Sequence, residues 1–133
     1  MKKIYFSKML GILALSTISA AVCQAGSSSS YNCDGMDTNG KKMHVKLALT
    51  STDKSDVFKT VWSYGKSNQD IGEAHVTGKD RMFETFARKE SGIFSGHSDI
   101  YQINDKQMVI NYEDFHKINK IRVHGVMVCN LAE

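Results

Sequence analysis

Hydrophobic and polar side chains alternate over short stretches of the chain, and polar segments such as GKSNQD and TGKD separate these stretches. In the stretch HVKLAL, Val45, Leu47 and Leu49 share one face. An alternation of period two is typical of a β-strand with one buried face. The pattern predicts seven strands, at 44–49, 57–64, 71–76, 81–88, 93–103, 108–115 and 121–129.

The segment YNCDG, at 31–35, supplies an eighth predicted strand. Short hairpin loops join antiparallel neighbours, and an eight-stranded up-and-down sheet can close on itself and leave no free edge. With eight strands the first and the last run in opposite directions, so they can pair at the seam. We therefore predict an all-β fold, a small antiparallel up-and-down meander that closes as an eight-stranded barrel.

The first 25 residues differ from the rest. Three lysines precede an uncharged, mostly apolar run at 9–22, and small residues follow it. This arrangement predicts a signal peptide that is cleaved after Ala25, because the run is shorter than the ~20 residues that a membrane-spanning helix needs. The protein is then exported, to the periplasm or beyond. A lipid anchor at Cys23 is the less favoured alternative, since Val22 stands where lipoprotein processing requires a small residue.

Two cysteines, Cys33 and Cys129, follow the predicted cleavage site. In a small exported domain such a pair favours a disulfide, and the predicted meander brings the two strands that carry them together. On the chain-entropy model a loop of this length would stabilise the fold by about 4.7 kcal/mol. The expected organisation is a flexible serine-rich lead-in at 26–30 followed by one barrel domain at 31–133, closed by one disulfide.

The charge balance changes once the leader is set aside. The chain holds 17 basic and 14 acidic residues, but three of the bases and none of the acids precede residue 26, so the predicted mature domain is neutral. Neutrality argues against a general attraction to nucleic acid, and no sequence-specific nucleic-acid partner is expected. Any electrostatic function must therefore come from local clustering of charge.

Such a cluster emerges when the predicted loops are sorted by the end of the barrel on which they fall. The loops at 51–56, 77–80 and 104–107 share the end assigned to the disulfide, whereas the other four loops carry seven basic and three acidic residues. We name this second end the basic pole and predict that it binds an anionic partner, a phosphorylated lipid headgroup or another polyanion. Its predicted ligand-binding residues are Lys41, Lys42, Lys66, Arg88, Lys89, His116, Lys117, Lys120 and Arg122. The alternative is that these loops are lysine-rich only because they are solvated.

Motifs that would carry chemistry are weak. Asn39-Gly40 resembles the middle of a calcium loop, but Gly35 and Lys46 would occupy its terminal ligand positions, so a hairpin turn is the better interpretation. The five histidines are scattered, and the serine, histidine and aspartate of SGHSD point to opposite faces of one strand. We therefore expect no catalytic residues, no metal site and no cofactor.

Several residues resemble small secreted lipocalin-like or avidin-like barrels of bacteria. They are Tyr31-x-Cys33-x-Gly35, Val61-Trp62-Ser63-Tyr64-Gly65, Gly72 at the third strand, and Tyr101-Gln102-Ile103-Asn104-Asp105 before a turn. The resemblance implies a barrel that binds ligands or proteins and that seldom catalyses a reaction.

Two alternatives to the anionic partner stay open. One is a protein-binding inhibitor or virulence-type effector that acts on a host or periplasmic protein. The other is a barrel that holds a small ligand in its lumen, for which predicted strands of about six to eight residues leave little room. The aromatic residues are expected to fill most of the core: Phe58, Trp62, Phe83, Phe86, Phe94, Tyr101, Tyr112 and Phe115.

Overall fold

The computed structural model describes residues 26–133, which form a closed barrel of eight antiparallel strands. The strands are β1 (Ser28–Asp37), β2 (Lys42–Ser51), β3 (Val57–Tyr64), β4 (Asn68–Gly78), β5 (Arg81–Arg88), β6 (Phe94–Asn104), β7 (Gln107–His116) and β8 (Ile121–Leu131). Each strand pairs with its neighbour in sequence, and β8 pairs with β1 at the seam. The predicted all-β barrel is confirmed.

The first strand begins earlier than predicted. Ser28 to Ser30 pair in register with Thr50 to Ala48 of β2, so the expected flexible lead-in at 26–30 is wrong for these three residues. The Thr50 hydroxyl also donates to Ser28 Oγ over 3.2 Å. Backbone hydrogen bonds to β2 require no particular side chain, which is why a run of serines can extend the strand.

Cys33 and Cys129 form the predicted disulfide across the seam. They are direct partners in the β1–β8 register, with a Cα–Cα distance of 4.0 Å, and both are fully buried. Cys33 lies inside β1 rather than at its start, because the strand extends back to Ser28. The covalent bond therefore fixes the pairing that closes the barrel.

The interior follows the predicted alternation. Val45, Leu47 and Leu49 are buried, as are the inward residues of β7 from Met108 to Tyr112. Four members of the predicted aromatic core are buried: Phe58, Trp62, Phe86 and Tyr112. The other four are not: Phe83 is exposed, and Phe94, Tyr101 and Phe115 are half-buried. Phe83 misses the core because it alternates with the inward residues of β5.

Phe86 packs in a space that two glycines leave open. Its partners in the register are Gly72 on β4 and Gly96 on β6. A Cβ on Gly72 would lie 2.0 Å from the carbonyl oxygen of Thr85, and one on Gly96 would lie 2.7 Å from the Phe86 ring. Glycine inside a strand is typical of such close approaches and of the bends that let a small barrel close.

The predicted signal peptide at 1–25 and the alternative lipid anchor at Cys23 lie outside the described residues. Within 26–133, no helix has the length and the apolar character needed to span a bilayer.

Candidate functional site

The hairpin loops of the basic pole lie together at one end of the barrel. The strand order places the loops at 38–41, 65–67, 89–93 and 117–120 at the end where β1 finishes. Six of the predicted ligand-binding residues are exposed lysines, and none of them forms an ion pair within 26–133: Lys41, Lys42, Lys66, Lys89, Lys117 and Lys120.

Arg88 has a different environment from the lysines. Its Nε donates to Asp70 Oδ1 over 2.5 Å, and the side chains of Asp70 and Arg88 are only 3% and 21% exposed. Its guanidinium carbon lies 4.6 Å from the Phe94 ring centroid and 5.4 Å from that of Tyr64. Arg88 therefore lies inside the barrel end as part of an ion pair and an aromatic stack, rather than on a free basic surface.

His116 and Arg122 also have partners. The His116 ring meets Phe94 edge-on, with 4.5 Å between centroids, and its Nδ1 accepts a hydrogen bond from the Asn119 backbone over 3.1 Å. Arg122 lies 3.6 Å from Glu113 and 4.8 Å from the Phe115 centroid, on the outer wall. Because His116 packs against Phe94, it fixes the aromatic ring on which Arg88 stacks.

A cavity of about 360 Å³ opens at this end of the barrel, and we name it the mouth cavity. It is lined by Lys41, Lys42, Met43, His44, Val45, Tyr64, Arg88, Phe94 and Asp114. The strands are eight to eleven residues long; β1, β2, β4, β7 and β8 are longer than predicted, whereas β3, β5 and β6 have the predicted length. The cavity lies between the strand ends that carry Met43, Tyr64, Arg88, Phe94 and Asp114.

Asp114 is the carboxylate that lines this cavity. Its Oδ1 is buried and accepts no hydrogen bond from residues 26–133. Burial raises the pKa of the Asp114 carboxyl to about 6, and the negative charges of Asp70 and Glu84 act in the same direction while Arg88 opposes them. A carboxylate in such a position favours an incoming hydrogen-bond donor.

Two tyrosines belong to the same end of the barrel. Burial, together with the charges of Asp70 and Asp114, raises the pKa of Tyr64 far above its usual range, so its phenol stays neutral. The Tyr112 hydroxyl donates to the sulfur of Met43 over 2.6 Å. These contacts hold an apolar and aromatic wall next to the charged groups.

A second buried carboxylate, Glu84, lies deeper in the barrel. It accepts the indole N–H of Trp62 over 2.6 Å and the hydroxyl of Ser98 over 2.5 Å, and it is fully buried. Burial raises the pKa of Glu84, and these two hydrogen bonds partly oppose the shift. Glu84 does not line the mouth cavity.

Sequence reasoning placed no carboxylate inside the barrel. Asp70 falls in the predicted loop between the strands at 57–64 and 71–76, and the sequence assigns no role to Glu84 or Asp114. The alternation nevertheless contains a signal, because Glu84 stands between the inward residues Met82 and Phe86, and Asp114 follows Tyr112 by two positions.

The outer wall carries two further depressions. One, of about 600 Å³, lies over Gly72 between β3 and β5, and another, of about 300 Å³, lies over Gly125. No group of three or more His, Cys, Asp or Glu side chains in the described part of the chain could hold a metal ion. The mouth cavity differs from both depressions because its lining includes a carboxylate, Asp114, with a buried oxygen that accepts no hydrogen bond within 26–133.

Solved β-barrels share this fold at very low sequence identity. EF1p2_mFAP2b bound to DFHBI has a TM-score of 0.65 and 9% identity, over 76% of this chain and 90% of that one. The redesigned barrel b11L5F_LGL gives 0.66 and 7%, over 78% and 90%, and the redesigned barrel mFAP1 bound to DFHBI gives 0.59 and 12%, over 74% and 90%. No protein-family model and no curated protein sequence matches the chain. The eight-stranded barrel that the lipocalin-like resemblance implies is therefore present, but these comparisons identify no sequence family for the chain.

Proposed function

We propose that this protein is a non-catalytic binding protein that takes a small amphipathic ligand into the mouth cavity. The apolar body of the ligand packs against Met43, Val45 and Phe94, and its negatively charged group faces Lys41 and Lys42. The observation that carries the proposal is the cavity itself, in which an apolar and aromatic wall meets two lysines at the rim.

Size and composition support this proposal. Cavities that hold small organic ligands are commonly about 300–1,000 Å³ and combine apolar walls with a few polar groups. The mouth cavity, at about 360 Å³, falls at the small end of that range. Two barrels of similar fold have been solved with the small molecule DFHBI bound, so a barrel of this shape can accommodate a small ligand.

Charge supports the orientation of the ligand. The lysines of the basic pole are exposed and form no ion pair within 26–133, whereas Arg88 is already paired with Asp70. An anionic group is therefore expected to remain near the rim, where the lysines are solvated and free to approach it. The sequence predicts an anionic partner, and in this proposal that partner is a small molecule with one anionic group.

Titration with octanoate and with 1-octanol, followed by amide chemical shifts, tests the proposal. Octanoate should shift the amides around Met43 and Phe94, and 1-octanol should bind more weakly because it lacks the charge. Replacement of Lys41 and Lys42 by Gln should remove the difference between the two probes. The matched control replaces Lys54 and Lys79, at the opposite end of the barrel, by Gln. This variant should keep the difference in affinity between octanoate and 1-octanol. Shifts confined to the outer wall would contradict the proposal.

Docking on an anionic surface is the second candidate. Six lysines without ion pairs at one end of the barrel favour it, since each basic residue near an anionic membrane contributes about 1 kcal/mol. Vesicles with phosphorylated lipid headgroups test it: Lys117→Glu with Lys120→Glu should abolish salt-sensitive binding without changing the fold. Binding that these variants leave unchanged would exclude this candidate. A buried disulfide accords with the oxidising compartment to which the predicted signal peptide would deliver the chain.

A further inference from the structure

Three carboxylates inside the barrel, Asp70, Glu84 and Asp114, differ in their ion-pair and hydrogen-bond partners. Asp70 is paired with the guanidinium of Arg88, and Glu84 accepts hydrogen bonds from two neutral donors. Asp114 Oδ1 is buried and accepts no hydrogen bond from residues 26–133. Of these three groups, Asp114 alone has a buried oxygen without a donor, and it is the one that lines the mouth cavity.

A buried acceptor without a donor is an unfavourable arrangement that a ligand can relieve. A neutral hydroxyl would supply one hydrogen bond. An ammonium group would supply a hydrogen bond and also compensate the negative charge, and charge-assisted hydrogen bonds are roughly twice as strong as neutral ones. A second carboxylate at this position would be repelled by Asp114, whose charge Arg88 offsets only in part because Arg88 is already paired with Asp70.

The walls around Asp114 suit a cation as well. Phe94 and Tyr64 line the same cavity, and both rings already stack against the guanidinium of Arg88, which shows that their faces accept positive charge here. The cations at the rim, Lys41 and Lys42, lie on loop 38–41 and at the start of β2, and the same cavity extends from them to Asp114.

From this arrangement we infer that Asp114 determines specificity at the inner end of the mouth cavity, and that the ligand places an amine there while its anionic group faces the lysines. The ligand class is thus a small amino acid-like molecule with an amine at one end, an apolar body and an acidic group at the other. This inference rests on the proposed function, because it assigns the inner end of the ligand described there.

The test uses three probes of one chain length: 8-aminooctanoate, octylamine and octanoate. Their affinities for the oxidised protein are measured by calorimetry at neutral pH, and amide shifts confirm binding at the mouth. We expect 8-aminooctanoate to bind at least about tenfold more tightly than octanoate, which is the effect of one charge-assisted hydrogen bond. Asp114→Asn should remove that advantage and leave the affinity for octanoate unchanged or improved.

Glu113→Gln is the matched control. It removes one carboxylate from the adjacent position of β7, where Glu113 contacts His97 and His124 on the outer wall, and it should leave all three affinities unchanged. Amide spectra establish that each variant is folded, and Asp114→Ser provides a second uncharged variant at the site.

The possible outcomes separate the two proposals. If octanoate binds at the mouth as tightly as 8-aminooctanoate, or if both Asp114 variants keep the preference for the amine, the role of Asp114 is overturned while binding at the mouth stands. If none of the probes shifts the amides that line the mouth cavity, the proposed function is overturned together with this inference.

Discussion

Arg88 and Asp70 face each other across β5 and β4, and the guanidinium Nε of Arg88 lies 2.5 Å from Asp70 Oδ1. Asp70 is almost completely removed from water, whereas Arg88 keeps about a fifth of its side-chain surface exposed. The desolvation of Asp70 is offset by Arg88, and the planar cation is held in turn between Phe94 and Tyr64. This pair therefore organises the wall of the mouth cavity.

Removal of one partner from that pair should be costly. We expect Asp70→Asn to lower the free energy of unfolding by about 3 kcal/mol, because the Arg88 charge then lacks its counterion. Asp34→Asn is the matched control, since Asp34 and His44 form a pair whose side chains are 67% and 68% exposed. It should change stability by less than about 0.5 kcal/mol. Urea denaturation at neutral pH measures the free energy of unfolding of both variants. Equal losses of stability would contradict a buried role for Asp70.

Glu84 should make stability depend on pH. Its pKa is raised in the folded state, so its contribution is fully present below the ordinary carboxyl pKa and is lost as pH rises through the folded-state value. Glu84→Gln cannot ionise, and its amide can still accept from Trp62 and donate to Ser98. We therefore expect this variant to gain stability relative to the native protein as pH rises.

Denaturation from mildly acidic to mildly alkaline pH measures the effect. The companion variant Glu84→Leu leaves the Trp62 N–H and the Ser98 hydroxyl without an acceptor and should lose about 1–3 kcal/mol per unsatisfied group. A difference between Glu84→Gln and native protein that does not change with pH would show that Glu84 does not ionise in this range.

The seam disulfide should contribute strongly to stability. It closes a loop with a sequence separation of 96 residues, for which the chain-entropy model gives about 4.7 kcal/mol. Replacement of both cysteines by Ala should therefore shift the urea midpoint well below that of the oxidised protein. Reductant should produce a similar shift in the native chain and none in the double variant. A shift corresponding to less than about 1 kcal/mol would mean that the β1–β8 hydrogen bonds close the barrel without covalent help.

Two glycines of the same strand provide a test of close packing. An added Cβ on Gly72 would lie 2.0 Å from the backbone oxygen of Thr85, whereas one on Gly78 would meet nothing within 4 Å. We expect Gly72→Ala to destabilise the protein by about 1–3 kcal/mol through overpacking. Gly78→Ala should be neutral or slightly stabilising, by up to about 1 kcal/mol. Thermal melts compare the two, and equal melting temperatures would contradict the close approach at Gly72.

The fold was largely predictable from the sequence because period-two alternation is a local property. Val45, Leu47 and Leu49 define the inner face of β2 by themselves, and the even number of strands then brings β1 next to β8. The disulfide follows from that closure. Ser28 to Ser30 were not predictable in the same way, because they join β1 through backbone pairing with β2 and carry no hydrophobic pattern.

The buried charges of the candidate site were harder to predict from the sequence than the fold. Charged residues near turns are normally solvated, so the sequence places Arg88 on the basic pole and Asp70 in one of its loops. Their burial depends on the β4–β5 register, which makes them direct partners inside the barrel, and register is a relationship between strands that no single segment contains. The environment of Asp114 is equally non-local, since the charges that act on it, Asp70, Glu84 and Arg88, come from β4 and β5 rather than from its own strand.

The seam bond also changes how the molecule responds to a protease. All seven hairpin loops of the described chain lie between Cys33 and Cys129. A single backbone cut in any one of them divides the polypeptide into two pieces that stay covalently joined through the two cysteines. Nicked protein should therefore keep the electrophoretic mass of the intact molecule until it is reduced, and the hydrogen-bonded ring can persist around the break.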